Sequence, residues 1–330
     1  MDRVRLGIVG LGWFGGVLAE SARASGVAEV VSCFARSADT RSAFAEKHGC
    51  RAAADLDEML ADPEVAGVIV ATPHSTHAEI AVAAAEAGKH VFVEKPLTLT
   101  VADAKRVGEA AARAGVAVQV GHNRRRQPAN RRIKAMIDAA ELGTVLQLDG
   151  MHTAAGGHKP DLPGWRKDPA ECPFGGMTAL GVHTVDTFHY FVGPAKKVTS
   201  FSTRIHGFTD LDEATAVLIE YGSGPIASIN TTYFAPSVVS LSVFGSDAAA
   251  WNEEDGKRLY TQARSDPTRS EQEVETIDTM LDEMVEFARC VGGEGQPETG
   301  MAEAIEVAAV MEAIGLSIES GEAVELAGIR

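Results

Sequence analysis

Hydrophobic and polar positions in the first third of the chain follow a regular alternation of strands and helices. Short apolar runs predict strands at 4–9, 28–34, 65–71, 90–93 and 116–120, and the run at 65–71 is apolar almost throughout. Helical periodicity predicts helices between them at 14–24, 37–48, 56–60, 78–87 and 101–114. Apolar strands that alternate with helices are typical of a doubly wound parallel sheet.

The pattern changes after about residue 122. One helix is predicted at 129–140, and strand-like runs follow at 144–151, 198–205, 214–221, 225–233 and 238–244. Short turns rich in glycine and proline separate some of these runs, which predicts an antiparallel meander. Helices are then predicted at 271–291 and 301–320, and the long glycine- and proline-rich stretch 156–176 indicates a functional loop.

Size and charge narrow the possible functions. The 330 residues are 45% hydrophobic, which is enough for two cores, so we predict domains at 1–122 and 123–330. A formal net charge of −16 argues against a nucleic-acid partner, because nucleic-acid binding needs a basic surface. The arginine cluster 124–126 with Arg131 and Arg132 is the exception, and it is either an ion-pairing surface or an anion or substrate contact.

The cysteines and the terminal sequence indicate the compartment. Cys33, Cys50, Cys172 and Cys290 lack the spacing of a zinc site or a disulfide framework. The first strand begins within a few residues of the N-terminus, and no apolar stretch approaches the roughly 20 residues that span a bilayer. We therefore expect a soluble, cytoplasmic protein with no membrane partner.

A glycine-rich turn, Gly10-Leu11-Gly12-Trp13-Phe14-Gly15, joins the first strand to the first helix. In a βαβ unit the first glycine allows the tight turn, and the second lets backbone amides approach a pyrophosphate. The third glycine lets helix and strand pack closely. The turn therefore predicts a dinucleotide-binding site, the alternative being an ordinary turn between a strand and a helix.

The tip of the second strand bears on the choice of cofactor. It reads Phe34-Ala35-Arg36-Ser37 and lacks the carboxylate that binds the ribose 2′-hydroxyl in NAD enzymes. Arg36 and Ser37 suit a 2′-phosphate, which favours NADP. If Arg36 only stacks on adenine, NAD is equally acceptable.

Two further motifs follow buried strands. Thr72-Pro73-His74 comes after one strand and Glu94-Lys95-Pro96 after the next. Because ligands of open α/β sheets bind at the carboxyl ends of the strands, we expect both motifs at one crevice. Lys95 then donates to a substrate oxygen or relays its proton, unless it is a surface lysine paired with Glu94.

A third motif runs from Gly175 to Asp186. His183 and Asp186 are three residues apart and share a helix face, so Asp186 either orients the imidazole or pairs elsewhere. A histidine in such a place can exchange a proton with a hydroxyl or carbonyl group as hydride moves.

In this order, these motifs resemble the Gfo/Idh/MocA oxidoreductase family over essentially the whole chain. The resemblance implies an α/β fold class, with an N-terminal Rossmann domain and a C-terminal α/β domain that has an open, mainly antiparallel sheet. It implies NAD(P)-dependent hydride transfer between the nicotinamide and a secondary hydroxyl or carbonyl of a sugar, cyclitol or related diol. Lys95 matches the lysine that contacts the reacting oxygen, and His183 matches the catalytic histidine.

Site residues follow from the motifs and the resemblance together. The expected cofactor-binding residues are Gly10, Gly12, Trp13, Phe14, Gly15, Ala35, Arg36, Ser37, Thr72, Pro73, His74, His77, Glu94, Lys95, Pro96 and Asn123. The expected substrate-binding residues are Lys95, Arg124, His152, Trp165, Arg166 and His183, although Trp165 is otherwise a packing anchor. One face of the open sheet is expected to mediate a homodimer or homotetramer.

One position departs from the family pattern. Many members carry aspartate four residues before the histidine, where this chain has Ala179. Either Lys95 and His183 suffice, or Thr178 or a loop residue substitutes, or redox activity has been lost. Two alternatives to a dehydrogenase follow, a catalytically silent NAD(P)-binding regulator and an NAD-dependent glycosidase.

A metal enzyme is disfavoured by the histidine spacing. His74 with His77, and His183 with His189, form pairs that lack a third ligand at matching spacing. The sequence therefore predicts no metal site.

Overall fold

A computed structural model describes residues 3–159 and 163–330 of the chain. The chain forms two compact units. The first combines the residues up to Asn123 with Asp278–Ile305, and the second combines Arg124–Ile277 with Glu306–Arg330. This grouping differs from the contiguous division at 122 and 123, because a helix from late in the chain packs in the core of the first unit.

The first unit is built on a parallel sheet of six strands in the order β3-β2-β1-β4-β5-β6, which confirms the doubly wound architecture. The strands are β1 (Val4–Val9), β2 (Ala28–Phe34), β3 (Arg51–Ala52), β4 (Gly67–Val70), β5 (His90–Val93) and β6 (Val118–Val120). The helices between them are α1 (Trp13–Ala24), α2 (Ala38–His48), α3 (Leu56–Ala61), α4 (His77–Glu86) and α5 (Val101–Ala114).

The core of this unit includes the late helix Thr279–Val291, which is α8 in chain order. Its residues Met284 and Phe287 are fully buried together with Leu6 and Ile8 of β1. The prediction that this helix begins at 271 is wrong, because Asp278 caps its first turn by accepting hydrogen bonds from the amides of Met280 and Leu281.

The second unit contains a nine-stranded, mainly antiparallel sheet in the order β14-β13-β12-β11-β7-β10-β9-β8-β15. Its helices are α6 (Pro128–Asp138), α7 (Val182–Val192) and all but the first turn of α9 (Met301–Ser320). Its strands are β7 (Val145–Thr153), β8 (Ala195–Thr203), β9 (Ala214–Tyr221), β10 (Ile226–Thr232), β11 (Val238–Gly245), β12 (Ala248–Glu253), β13 (Arg258–Ala263), β14 (Ser270–Gln272) and β15 (Val324–Glu325). The sheet is not a simple meander, because β7 lies between β10 and β11 and runs parallel to β10.

The two faces of this sheet differ in composition. On the inner face Val217, Ile219, Ala227 and Ile229 are buried in alternation along β9 and β10. On the outer face Phe201, Leu218 and Ile226 are 68%, 53% and 55% exposed.

Helix α7 packs closely on the inner face. A Cβ atom added to Gly150 of β7 would lie 2.5 Å from Cγ2 of Thr184 in α7, so the helix can approach the strand only because residue 150 has no side chain. Within the described part of the chain, no helix combines the length and apolar character needed to cross a membrane.

Candidate active site

Three of the motifs follow strands that end at one edge of the parallel sheet. Val9, Val70 and Val93, the last residues of β1, β4 and β5, are register partners of one another. The glycine turn, Thr72-Pro73 and Glu94-Lys95 therefore all begin within a few residues of the same edge. This is the edge at which open α/β sheets bind their ligands.

The glycine turn is closely packed at its first and third glycines and open at its second. Gly10 has φ +95°, and a Cβ atom there would lie 2.3 Å from the carbonyl oxygen of Ala71. A Cβ atom on Gly15 would lie 2.0 Å from the carbonyl oxygen of Gly10, whereas one on Gly12 would meet nothing within 4 Å. Gly12 also provides no side-chain cap for α1, so backbone N–H groups of its first turn are available to a pyrophosphate.

The residues after β2 present an exposed cation, Arg36, and a hydroxyl that caps a helix, that of Ser37. The Ser37 side chain caps α2 by accepting a hydrogen bond from the Thr40 amide. Arg36 is exposed, and none of residues 3–159 and 163–330 forms an ion pair with it. The backbone beneath it is held by Arg41, whose Nη1 donates to the carbonyl oxygens of Ala35 at 2.6 Å and Arg36 at 3.2 Å.

His77 connects the Thr72-Pro73-His74 motif to the Glu94-Lys95-Pro96 motif. Its ring is fully buried, with Nδ1 2.9 Å from the carbonyl oxygen of Pro96 and Nε2 2.9 Å from that of Thr72. The imidazole therefore holds both segments through their backbone carbonyl groups, and its contact with a cofactor stays a prediction. Lys95 itself is half-buried, and the Lys95–Pro96 peptide bond is cis.

The remaining predicted residues of the first unit surround these segments. Trp13 is 80% exposed, Phe14 is half-buried and His74 is buried. Asn123, which follows β6, donates from Nδ2 to the hydroxyl of Thr279 at 3.0 Å.

In the second unit, three predicted substrate-binding residues line one small pocket. Arg124, His152 and His183 share its wall with Gln127, Asn130, Thr184, Thr187, Val239, Ser240, Leu241 and Asn252. The rings of His152 and His183 lie 6.3 Å apart, centroid to centroid. Burial lowers the pKa of Arg124 to about 10, so its guanidinium stays charged at neutral pH, and it pairs with Asp255.

The polar amides of this pocket were missed from the sequence. Asn252 Nδ2 donates to Asn130 Oδ1 at 2.7 Å, and Asn130 Nδ2 donates to the carbonyl oxygen of Arg124 at 2.8 Å. Both asparagines are buried. The one local signal for Asn130 is that this polar residue lies on the buried face of α6, where the helical periodicity places apolar side chains.

The turn before His183 is a π-helix, Met177–Gly181, which leads directly into α7. Ala179 is 6% exposed, so a small apolar side chain fills the position where many family members carry aspartate. Thr178 is 1% exposed, and its hydroxyl donates to the carbonyl oxygen of Pro173. That hydrogen bond argues against Thr178 as a substitute for the acid.

Asp186 pairs with Arg125, which is one of the two roles that the sequence left open, and its orienting role for His183 stays a prediction. Arg125 donates from Nε to Oδ2 at 3.0 Å and from Nη2 to Oδ1 at 2.5 Å. The two side chains are 4% and 1% exposed, and the Arg125 guanidinium lies 5.0 Å from the centre of the Tyr190 ring. The pair ties the segment after β6 to α7 inside the second unit.

Trp165 and Arg166 lie apart from that pocket lining. They belong to a short 3₁₀ turn, Gly164–Lys167, in which the Arg166 guanidinium stacks on the Trp165 ring at 4.6 Å. Part of the predicted functional loop, residues 160–162, lies outside the described residues.

Metal ligands are not assembled in the described ranges. Nowhere among residues 3–159 and 163–330 do three His, Cys, Asp or Glu side chains gather in a way that would hold a metal ion.

Comparison with known proteins identifies the family. The profile of the Gfo/Idh/MocA oxidoreductase family, described as an NAD-binding Rossmann fold, matches residues 4–122. The Gfo/Idh/MocA C-terminal domain profile matches residues 130–250.

Individual relatives show the range of named activities. A 1,5-anhydro-D-fructose reductase from Ensifer adhaerens is 27% identical over 92% of both chains. The scyllo-inositol 2-dehydrogenase (NAD⁺) of Bacillus subtilis strain 168 is 34% identical over 55% of this chain and 53% of its own length. A solved structure from Desulfitobacterium hafniense, provisionally described as an NADPH-dependent oxidoreductase, superposes with a TM-score of 0.94 at 27% identity. It covers 100% of this chain and 99% of its own.

The profiles cover both halves of the chain in the order that the motifs predicted, and the fold agrees over the whole length. The chain belongs to the Gfo/Idh/MocA family and is an oxidoreductase with an NAD-binding Rossmann fold.

Proposed function

We propose that the protein transfers hydride reversibly between NADP or NAD and a secondary hydroxyl or carbonyl group of a sugar, cyclitol or related diol. The observation that supports this most is the position of Lys95, which leaves the same sheet edge as the glycine turn. The named substrates of the two curated relatives, an anhydro sugar and an inositol, support the substrate class.

In this proposal each group of residues has one task. The amides at the start of α1 hold the pyrophosphate, and the bound nicotinamide supplies the hydride chemistry. Lys95 donates a hydrogen bond to the reacting oxygen and stabilises its negative charge as the proton leaves. His183 accepts the hydroxyl proton during oxidation and returns it during reduction.

The polar side chains around the small pocket in the second unit suit a hydroxyl group of a ligand, and its volume of about 10 Å³ has room for one such group rather than for a whole ring. Arg124, His152 and His183 offer donors and acceptors on one wall. Buried Asn130 donates to the carbonyl oxygen of Arg124 and accepts from Asn252. Hydroxyl groups of a sugar or cyclitol exchange hydrogen bonds with such side chains, whereas a purely apolar ligand would leave them unsatisfied.

The test combines turnover with binding. Purified protein is mixed with NADP or NAD and a panel of sugars, cyclitols and glycosides, and the absorbance of the reduced nicotinamide is followed. Reduction with any polyol supports the proposal. Cofactor binding without reduction across the panel would favour the silent regulator, to which Ala179 points. Release of sugar from a glycoside without net reduction would favour the glycosidase.

We further propose a preference for NADP, on the strength of Arg36. An exposed guanidinium without an ion-pair partner in the described residues is available to a 2′-phosphate, and no carboxylate stands at the strand tip to bind a 2′-hydroxyl. A hydrogen bond to a charged group contributes about 1.5–3 kcal/mol.

Arg36→Asp should therefore weaken NADP binding by roughly tenfold to a hundredfold and bring NAD affinity level with it or above it. Titration calorimetry with each cofactor measures both affinities. Arg113→Asp makes the same charge change at the exposed end of α5, and it should alter neither the affinity for NADP nor the affinity for NAD. An unchanged ratio in Arg36→Asp would remove Arg36 from the account of cofactor choice.

Self-association through the outer sheet face is also proposed. Phe201, Leu218 and Ile226 expose more than half of their surface there, which is unusual for large apolar side chains on a solvated sheet. A homodimer or homotetramer would cover them. Sedimentation at the mass of a single chain over a wide concentration range would refute this.

A further inference from the structure

Two of the four cysteines lie side by side in the first unit. Cys33 is fully buried in β2, and Cys50 immediately precedes the short strand β3. In the parallel ladder Cys33 is the partner of Ala52, so Cys50 lies two residues away along β3 with its side chain on the same face. The two thiols are close enough to influence each other's ionisation, and the Cys33 thiol donates to the carbonyl oxygen of Arg41 at 3.7 Å.

The two thiols differ in chemistry. Interaction with the Cys50 thiol, together with burial, raises the pKa of Cys33. The same interaction lowers the pKa of Cys50, against the opposing effect of its own burial. Cys50 is therefore the thiol that ionises first.

Cys50 is also the thiol that solvent reaches. It is half-buried and lines a pocket of about 300 Å³ together with Arg5, Arg23 and Arg51. Arg5 and Arg51 are ion-paired with carboxylates, so the feature that favours reactivity with peroxide is the partial exposure of Cys50 next to a second thiol. By contrast, Cys172 and Cys290 are only 2% and 4% exposed.

We propose that Cys50 is a peroxide-reactive thiol and that Cys33 is its resolving partner, so that the pair closes to an intramolecular disulfide. The Cys50 thiolate attacks one oxygen of hydrogen peroxide, the O–O bond breaks, and sulfenic acid and hydroxide form. Cys33 then attacks the Cys50 sulfur, the S–O bond breaks, and the oxygen leaves as water with the Cys33 proton. Two electrons pass from the two thiols to the peroxide.

The surrounding fold permits this closure. A disulfide requires Cα atoms within about 7 Å, whereas diagonal neighbours in a sheet lie about 7–8 Å apart, so closure requires the backbone at Cys50 to move towards β2. β3 is an edge strand of two exposed residues, held to β2 by pairing at Ser32 and Cys33. It can move by the small distance needed more readily than a central strand can.

Formation of the disulfide would also disturb the contacts that hold the segment after β2. Cys33 Sγ lies 3.7 Å from the carbonyl oxygen of Arg41, and the Arg41 side chain holds the carbonyl oxygens of Ala35 and Arg36. Oxidation should therefore lower affinity for the cofactor. This consequence rests on the proposed function, whereas the thiol chemistry does not, because neither cysteine takes part in hydride transfer.

The test follows the mass of the intact chain during treatment with hydrogen peroxide under native conditions. The expected result is a loss of two hydrogen atoms, a non-reduced peptide that joins Cys33 to Cys50, and recovery with dithiothreitol. Cys50→Ser should abolish the cross-link and Cys290→Ser should preserve it. Cys33→Ala should leave a sulfenic acid on Cys50 that dimedone traps, which keeps the assignment testable if one variant folds poorly.

Four free thiols after peroxide treatment, or a cross-link that survives in Cys50→Ser, would overturn the proposal. Cofactor titration of the oxidised and reduced wild-type protein then tests the consequence, with a reversible loss of affinity as the expected result. Equal affinities would refute the coupling to the cofactor segment. Because the mass readout needs no turnover, a silent polyol panel would count against the proposed function and not against the thiol pair.

Discussion

Two ion pairs, one buried and one at the surface, differ in how far water can compete with the interaction between their charges. Arg125 and Asp186 are almost completely buried, and two hydrogen bonds join them. Lys134 and Asp138, one turn apart on α6, form an ion pair in which Asp138 is 59% exposed. Water competes for the second pair and not for the first, so their removal should have unequal costs.

Asp186→Ala should lower the free energy of unfolding by about 3–5 kcal/mol, because it leaves a buried guanidinium without its carboxylate. Asp138→Ala is the matched control, and it should cost less than about 1 kcal/mol. Urea unfolding of both variants measures the difference. Equal small losses would mean that Arg125 finds another partner and that the pair contributes little.

The chemistry of individual residues was only partly predictable. The glycine turn, Lys95 and His183 could be proposed from the sequence because their neighbours along the chain form recognisable motifs. The partner of Asp186 could not, because Arg125 lies 61 residues earlier and only folding brings them together. His77 was expected at the cofactor, but a sequence does not show that both ring nitrogens face carbonyl oxygens.

At the scale of elements, local periodicity predicted best where an element is regular and capped. β2, β5, α5 and α9 have the predicted bounds, and the side chain of Thr100 caps α5. β12, β13 and β14 were missed, since the sequence of β12, Ala-Ala-Ala-Trp-Asn-Glu, lacks a clear alternation.

Contacts from other strands compensate for that weak local signal. Trp251 and Tyr260 are register partners on β12 and β13, and the Arg269 guanidinium lies over both rings, 4.5 Å and 4.4 Å from their centres. Such cross-strand and cation–π contacts stabilise strands that intrinsic preference does not predict.

The junction of β1 and α1 offers a test at this scale, with adjacent glycines in opposite situations. A Cβ atom on Gly15 would lie 2.0 Å from the carbonyl oxygen of Gly10, whereas one on Gly16 would meet nothing within 4 Å. Gly15→Ala should therefore destabilise the protein by about 1–3 kcal/mol or more. Gly16→Ala should stabilise it by up to about 1 kcal/mol, because alanine favours helix.

Unfolding by urea without cofactor compares the two alanine variants. The account requires opposite signs. A Gly15→Ala protein as stable as the wild type would mean that α1 can shift away from β1, and the close approach expected of the third glycine would not be needed.

At the scale of the whole molecule, the order of motifs predicted the family and the two kinds of sheet. Which helices and strands belong to which compact unit could not be predicted without the three-dimensional structure. α8 lies more than 150 residues beyond the first sheet in sequence, yet Phe287 packs against Phe92 with ring centres 5.8 Å apart. Nothing local in α8 indicates which core its apolar face will join. The amide pocket was hidden for the same reason, since Asn130 and Asn252 are 122 residues apart.

The role of Lys95 is the central claim, and its replacement tests it most directly. With a substrate from the polyol panel, Lys95→Ala should lower kcat by about a hundredfold to ten-thousandfold, the usual range for loss of a group that moves or holds a proton. Cofactor affinity should stay close to the wild-type value. Lys105→Ala, on the exposed side of α5, should change neither quantity. Turnover by Lys95→Ala at the wild-type rate would contradict the account and make Lys95 a structural residue.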